Sequence, residues 1–314
     1  MTSAIQAANL TRTFGKTSAL SGLSLDVPKG SIYALVGANG AGKTTVIKIL
    51  MNILRATSGS ATVLGRPSGE IGGKDFTSIG YVSENQELPE WMTIGYLFNY
   101  LRPFYPHWDS GLEQQLIQQL DLPLDRKLKH LSRGQRMKAA LASILAYRPS
   151  LIVLDEPFTG LDPLVRDELI ESLLDRAPET TIFLSSHDLA EIESFASHVG
   201  YLERGKMLFS EEMSSLADRF REVQVTLAQP VPLPPSLPPS WLQPESSGAV
   251  FRFIDSGFHT AETPRQIATL FPDARDISMT PLPLRSIFLA VAKAGRQSAA
   301  AQSISQQNVQ ETKA

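Results

Sequence analysis

The run Gly37-Ala38-Asn39-Gly40-Ala41-Gly42-Lys43-Thr44-Thr45 constrains this chain more than any other stretch. It ends a short apolar segment, Ile32 to Val36, so a strand breaks into a glycine-rich loop and then a helix. Gly37 followed by Gly42, Lys43 and Thr44 has the spacing of a phosphate-binding loop. Glycines let the backbone curl around phosphate oxygens so that successive N–H groups point at the anion. The helix that follows adds the positive end of its dipole. In this reading Lys43 reaches the β- and γ-phosphates of a nucleoside triphosphate, and the Thr44 hydroxyl binds Mg²⁺. A tight turn that merely caps a helix is the alternative, and strand, loop, lysine and threonine together argue against it.

With 314 residues the chain can hold one large α/β domain and a small second one. Its formal net charge of −3 provides no chain-wide basic field, so no nucleic acid partner is expected. The absence of cysteine excludes disulfides and thiolate metal sites and fits a reducing compartment. The first residues, MTSAIQAANLTRTFGK, do not read as a signal peptide. No unbroken apolar run reaches the roughly eighteen residues a membrane span needs. The nearest, Leu141 to Leu154, is broken by Arg148, Pro149 and Ser150. The expectation is a soluble chain whose membrane role, if any, comes through a partner.

Short apolar runs alternate with amphipathic stretches from about residue 4 to 210, which predicts an α/β core. Parallel strands are expected at Ser31 to Val36, Ile79 to Ser83, Leu151 to Asp155 and Thr181 to Ser185. Helices are expected from Lys43, near Thr93, near Gly111, near Gly134 and from Pro163, with a mostly helical insert over about 88–147. A large unit over 1–220 is followed by a strand and proline-rich linker at 221–249. A small α+β unit is expected over 250–294 and a polar, disordered tail over 295–314. The insert carries Trp91, Met92, Tyr96, Phe98, Tyr100, Phe104 and Tyr105, which suit either a packed core or a groove for a partner helix.

Leu151 to Pro157 reads LIVLDEP, a buried strand ending in two acids. Asp155 is placed to hold Mg²⁺ at the strand's carboxyl end, where ligands sit in open α/β sheets. Glu156, one step on, can polarise an attacking water. Leu131 to Gln135 reads LSRGQ ahead of an amphipathic helix, so Ser132 and the N–H groups around Gly134 form a second anion-binding helix start. Read alone, that segment is an ordinary helix cap.

Taken in this order, the motifs over roughly residues 4 to 220 resemble the ATP-binding cassette (ABC) family. The resemblance implies a RecA-like parallel-sheet core of the P-loop NTPase type, with an antiparallel β subdomain and a helical subdomain. It places Phe14 where the family stacks an aromatic on adenine, against the plainer reading of a core Phe. It makes Ser132, Arg133, Gly134 and Gln135 the signature, Gly160, Leu161 and Asp162 the D-loop, and His187 the switch histidine that touches the γ-phosphate. Two positions depart from the family. Arg133 replaces the usual signature glycine while the Gly134 donors remain, adding a cation able to reach phosphate or ribose. Glu84 stands where the family has a glutamine, and it binds Mg²⁺ directly or through water, faces solvent, or leaves the part to Gln86.

The resemblance further implies that one chain's signature completes the P-loop site of a second cassette. Two ATP molecules are then enclosed by a head-to-tail pair, cytoplasmic and peripheral on the inner face of the cell membrane. A separate transmembrane subunit is implied, and the short carboxyl-terminal unit ending near LRSIFLAVAK resembles those of bacterial ABC-2-type exporters. The alternative is a soluble ABC ATPase acting on ribosomes or nucleic acid, which usually carries two fused cassettes or a long coiled-coil insertion. A nucleotide-gated module without turnover is disfavoured by Glu156 and His187.

Overall fold

The computed structural model describes residues 2–84, 86–230, 232, 234 and 236–294. The chain opens with a long hairpin, β1 (Ser3–Phe14) and β2 (Thr17–Pro28), in which buried and exposed positions largely alternate, as in a sheet with one face on a core. β3 (Ile32–Val36) is buried at every position, the mark of a strand covered on both faces. It runs through the glycine-rich loop into α1 (Lys43–Leu50). β4 (Ser58–Val63) and β5 (Arg66–Pro67) complete an antiparallel sheet of order β2-β1-β4-β5.

After β6 (Ile79–Val82) come three helices, α2 (Ile94–Leu101), α3 (Ser110–Gln119) and α4 (Arg133–Leu145). The chain then returns as β7 (Leu151–Asp155), α5 (Pro163–Leu174), β8 (Thr181–Ser186), β9 (His198–Glu203) and β10 (Lys206–Glu212). Helix starts follow from side-chain chemistry: the side chains of Thr93, Asp109, Ser132 and Asp162 each accept a backbone N–H from the first turn.

The second sheet has the order β10-β9-β3-β8-β7-β6, and β9-β3-β8-β7-β6 are parallel. Its centre is held by apolar burial: Leu35, Val153 and Phe183 belong to one cluster, and Tyr33 stacks on Phe183 at 5.6 Å. Because β3, β7 and β8 run the same way, their carboxyl ends share one edge of the sheet. The glycine-rich loop, the pair Asp155–Glu156 and the pair Ser186–His187 therefore arrive together.

The chain divides into two compact units between Ser210 and Glu211, earlier than residue 220. The second contains α6 (Met213–Arg219), β11 (Arg221–Leu227), β12 (Trp241–Ser247), β13 (Val250–Asp255), α7 (Glu262–Leu270) and β14 (Ala274–Pro281). Residues 284–294 are helical. The strands form an antiparallel sheet of order β12-β13-β11-β14. Alternate residues Val223, Val225, Phe251 and Phe253 pack with Trp241, Ile267 and Phe271.

Composition assigns 241–247 to a linker, yet β12 is a strand of this sheet. Pro244 is tolerated because β12 is an edge strand, where the missing N–H breaks no ladder. The pairing slips between Leu242 and Glu245, and Gln243 takes a left-handed φ of 50°. The expected tail, 295–314, lies outside the described residues.

Candidate nucleotide-binding site

Glycine is required at two points of the loop. A Cβ on Gly37 would stand 2.3 Å from the Leu202 carbonyl oxygen. Gly42 has φ +113°, and a Cβ there would meet the Ala19 carbonyl oxygen at 2.7 Å. Gly42→Ala is therefore expected to lower stability by about 1–3 kcal/mol, and an unchanged thermal midpoint would refute the constraint. Lys43 follows as the first residue of α1, with only 5% of its surface exposed. Its ammonium donates to Gly37 O at 2.6 Å and Ala38 O at 3.3 Å, and pairs with Glu156 Oε1 at 3.0 Å.

The two acids at the end of β7 are both buried. Asp155 Oδ1 accepts the Ser185 hydroxyl at 2.7 Å and the Thr44 hydroxyl at 3.1 Å. Glu156 adopts a left-handed φ of 50° and donates its N–H to Ser185 Oγ at 2.9 Å. Its Oε2 accepts the Thr159 hydroxyl at 2.9 Å and lies 2.7 Å from His187 Nδ1. Burial works against the Glu156 carboxylate, but the hydrogen bonds from His187, Lys43 and Thr159 and the charge of Lys43 hold it below the usual glutamate range. Glu191 shows the reverse case. Burial pushes its carboxyl up, against a hydrogen bond donated by Ser186 at 2.7 Å.

Thr44 and Asp155 present hard oxygens 3.1 Å apart at the carboxyl end of β7. That donor set fits Mg²⁺, which takes one or two protein oxygens and keeps waters and substrate phosphates as its other ligands. No group of three or more His, Cys, Asp or Glu able to hold a metal occurs among the described residues.

The loop residues Asn39, Gly40, Gly42, Lys43, Thr44 and Thr45 line a cavity of about 350 Å³ together with Ala19, Glu84, Glu156, Thr159 and His187. This size lies within the usual range for small-molecule sites. Gly37 and Ala41 are packed behind it, with the Ala41 N–H donated to Ala38 O at 3.0 Å. Glu84 faces this cavity, while the Gln86 side-chain oxygen is turned back onto Ser83 N and Oγ, both at 3.1 Å. Phe14 is not a core residue: it is 47% exposed and carries the Arg12 guanidinium 4.4 Å above its ring.

The signature residues stand elsewhere. Ser132 caps α4 through a reciprocal pair with Gln135, each bond 3.2 Å, and Gly134 abuts Val165. Arg133 lies against Gly160, and Asp162 caps α5 by accepting Val165 N–H at 3.1 Å. Sequence reasoning missed Ser185 and Thr159. Both read as ordinary strand or loop hydroxyls, and their only signal is proximity in the chain to His187 and Glu156.

A family model described as ABC transporter matches residues 20–159. An uncharacterized ABC transporter ATP-binding protein of Synechocystis is 31% identical over 220 residues, covering 68% of this chain and 62% of that protein. A lantibiotic transport ATP-binding protein of Streptococcus pyogenes is 33% identical, over 65% of this chain and 89% of its own length. A bacitracin transport ATP-binding protein of Enterococcus faecalis is 32% identical over 69% and 72%. The match thus spans less than two thirds of the Synechocystis relative. Among solved structures, a dimeric post-hydrolysis ATP-binding cassette bound to ADP and Pi has a TM-score of 0.58 at 23% identity, over 67% of this chain and 98% of that one. An ATP-bound bacterial Atm1-family ABC exporter gives 0.61 at 23%, over 69% and 40%. Likeness at this identity concerns the fold.

Proposed function

This chain belongs to the ATP-binding cassette family, and on that premise we propose that it is the ATP-hydrolysing subunit of a transporter. The observation that carries the reading is the convergence of Lys43, Thr44, Glu156 and His187 on one cavity, with Asp155 accepting the Thr44 hydroxyl. The ATP phosphates replace Glu156 as the partner of Lys43, and Glu156 then accepts a proton from the attacking water. His187 holds the γ-phosphate. Thr44 and Asp155 would hold Mg²⁺, which would supply charge neutralisation for the phosphates. Ser132 to Gln135 do not line this cavity and serve the nucleotide of a second cassette, so the working unit is a head-to-tail pair. ATP bridges the two halves, and hydrolysis removes the bridge.

No helix among the described residues is long and apolar enough to cross a membrane. We propose a separate membrane subunit, with the cassette peripheral on its cytoplasmic side, a reading that the transport ATP-binding proteins among its relatives support. The names of the lantibiotic and bacitracin transport relatives support a transport role, and the direction we propose is export of the ABC-2 type. The aromatic insert supplies the docking surface. Phe98 and Met92 are core, but Trp91, Tyr96, Tyr100 and Phe104 are at least half exposed, in touching pairs Trp91–Tyr96 and Tyr100–Phe104. Purification from detergent-solubilised membranes is expected to bring down a polytopic polypeptide. ATPase activity that depends instead on added ribosomes or DNA would refute the transporter reading. Trp91→Ala with Tyr96→Ala is expected to weaken recovery of that polypeptide by at least about 30-fold, the scale of a 2 kcal/mol aromatic anchor. Unchanged recovery would move the docking surface elsewhere.

A further inference from the structure

We infer that Ser185 is a positioning residue that registers the metal-site carboxylate and the general base through a single hydroxyl. The inference rests on the hydrolytic role of Glu156 proposed above. Ser185 is fully buried near the end of β8. An amide N–H can only donate, so the 2.9 Å contact from Glu156 N fixes Ser185 Oγ as its acceptor. The hydroxyl proton is left for Asp155 Oδ1, 2.7 Å away. One oxygen thereby ties together the side chain of the first acid and the backbone of the second.

That tie falls where the backbone is strained. Glu156 has φ +50°, a region a non-glycine residue holds only when its surroundings over-determine it. Thr159 and His187 fix the far end of the side chain, and Ser185 fixes the near end at the backbone. Without the hydroxyl, a buried donor is left unpaired and a buried carboxylate loses one of its donors. The peptide is then free to relax toward an ordinary φ, carrying the Glu156 carboxylate away from the attacking water. The neighbouring hydroxyl cannot substitute, because Ser186 Oγ accepts Asp188 N–H at 3.0 Å and donates to Glu191 Oε2 at 2.7 Å.

The test compares Ser185→Ala with Ser172→Ala in the full chain. Ser172 is equally buried, but its hydroxyl donates to the Glu168 carbonyl on α5 at 2.9 Å, away from the cavity residues. Ser185→Ala is expected to lower kcat by about 10- to 100-fold, as for a group misplaced by about an ångström. Equilibrium affinity for Mg²⁺-free ATP should not fall, and Ser172→Ala should leave both quantities as they are. Added to Glu156→Gln, Ser185→Ala should cause a smaller fall in kcat than it causes alone, because the part acting through Glu156 is already lost. Should Ser185→Ala fail to fold, Ser185→Cys keeps the side chain's place with a weaker donor and is expected to lose part of kcat in the same pattern. A parental kcat in the folded Ser185 variant, or losses that multiply with those of Glu156→Gln, overturns the inference. Parental hydrolysis by Glu156→Gln alone would instead overturn the assignment of the base.

Discussion

Glu156→Gln is expected to lower kcat by about 10²–10⁴, which is roughly 3–5 kcal/mol of barrier, while ATP still binds. The substitution is nearly isosteric and keeps a carbonyl oxygen able to accept the Thr159 hydroxyl, now 2.9 Å from Oε2. What it removes is the charge that accepts a proton from water and the ion pair with Lys43 at 3.0 Å. Freed of that partner, Lys43 meets incoming phosphate without first giving up a carboxylate. Binding should therefore be at least as tight as in the parent, and the nucleotide should persist. If the second half of the site comes from another cassette, unhydrolysed ATP holds the pair closed. Size-exclusion chromatography with ATP and Mg²⁺ is expected to show accumulation of that pair, alongside a single-turnover assay showing little product. Hydrolysis at the parental rate would remove Glu156 from the role assigned to it.

Strands β3, β7 and β8 of the central sheet were legible in the sequence because they are buried at every position, so uninterrupted apolar runs reported them directly. β9 and β10, which mix exposed or half-buried positions with buried ones, gave no such run. The phosphate loop was legible because its geometry admits few residue types: glycine alone fits beside the Leu202 and Ala19 carbonyls. Helix starts were legible through Thr93, Ser132 and Pro163, whose side chains or fixed φ act within one turn. What escaped depends on pairing across the chain. Ser185 becomes a partner of Asp155 and Glu156 only because β7 and β8 lie side by side in register. β12 escaped because Pro244 and the prolines that precede the strand signal a spacer, while its place at the edge of a sheet is decided by β13. The aromatics of α2 divide between core and surface by helical phase, and composition alone does not say which side faces the interior. Phe14 was read by family position, while its exposure is set by the β1–β2 hairpin and the Arg12 side chain above it.

Lys43→Met is expected to abolish tight ATP binding and, separately, to destabilise the cassette by about 3–5 kcal/mol, the usual result of removing one partner from a buried ion pair. In a unit of this size each kcal/mol moves the thermal midpoint by about 2–4 °C. The loss has two sources in the structure. The carbonyls of Gly37 and Ala38 lose their donor, and Glu156 keeps a buried charge with its lysine counter-charge gone. The pH dependence has a definite sign. In the parent, the Glu156 carboxyl lies below its ordinary value of 4.5 when folded, so its ionisation stabilises the native state above that value. That contribution is lost as pH falls through the lowered value. Lys43→Met removes one cause of the lowering, so the gap in midpoint between parent and variant should narrow as pH drops below about 4.5. Introducing Glu156→Gln into Lys43→Met should then recover part of the lost stability at neutral pH, since no unpaired charge stays buried. A double variant no more stable than Lys43→Met would mean that the ion pair contributes little to the fold, and that the lysine acts there through its carbonyl contacts.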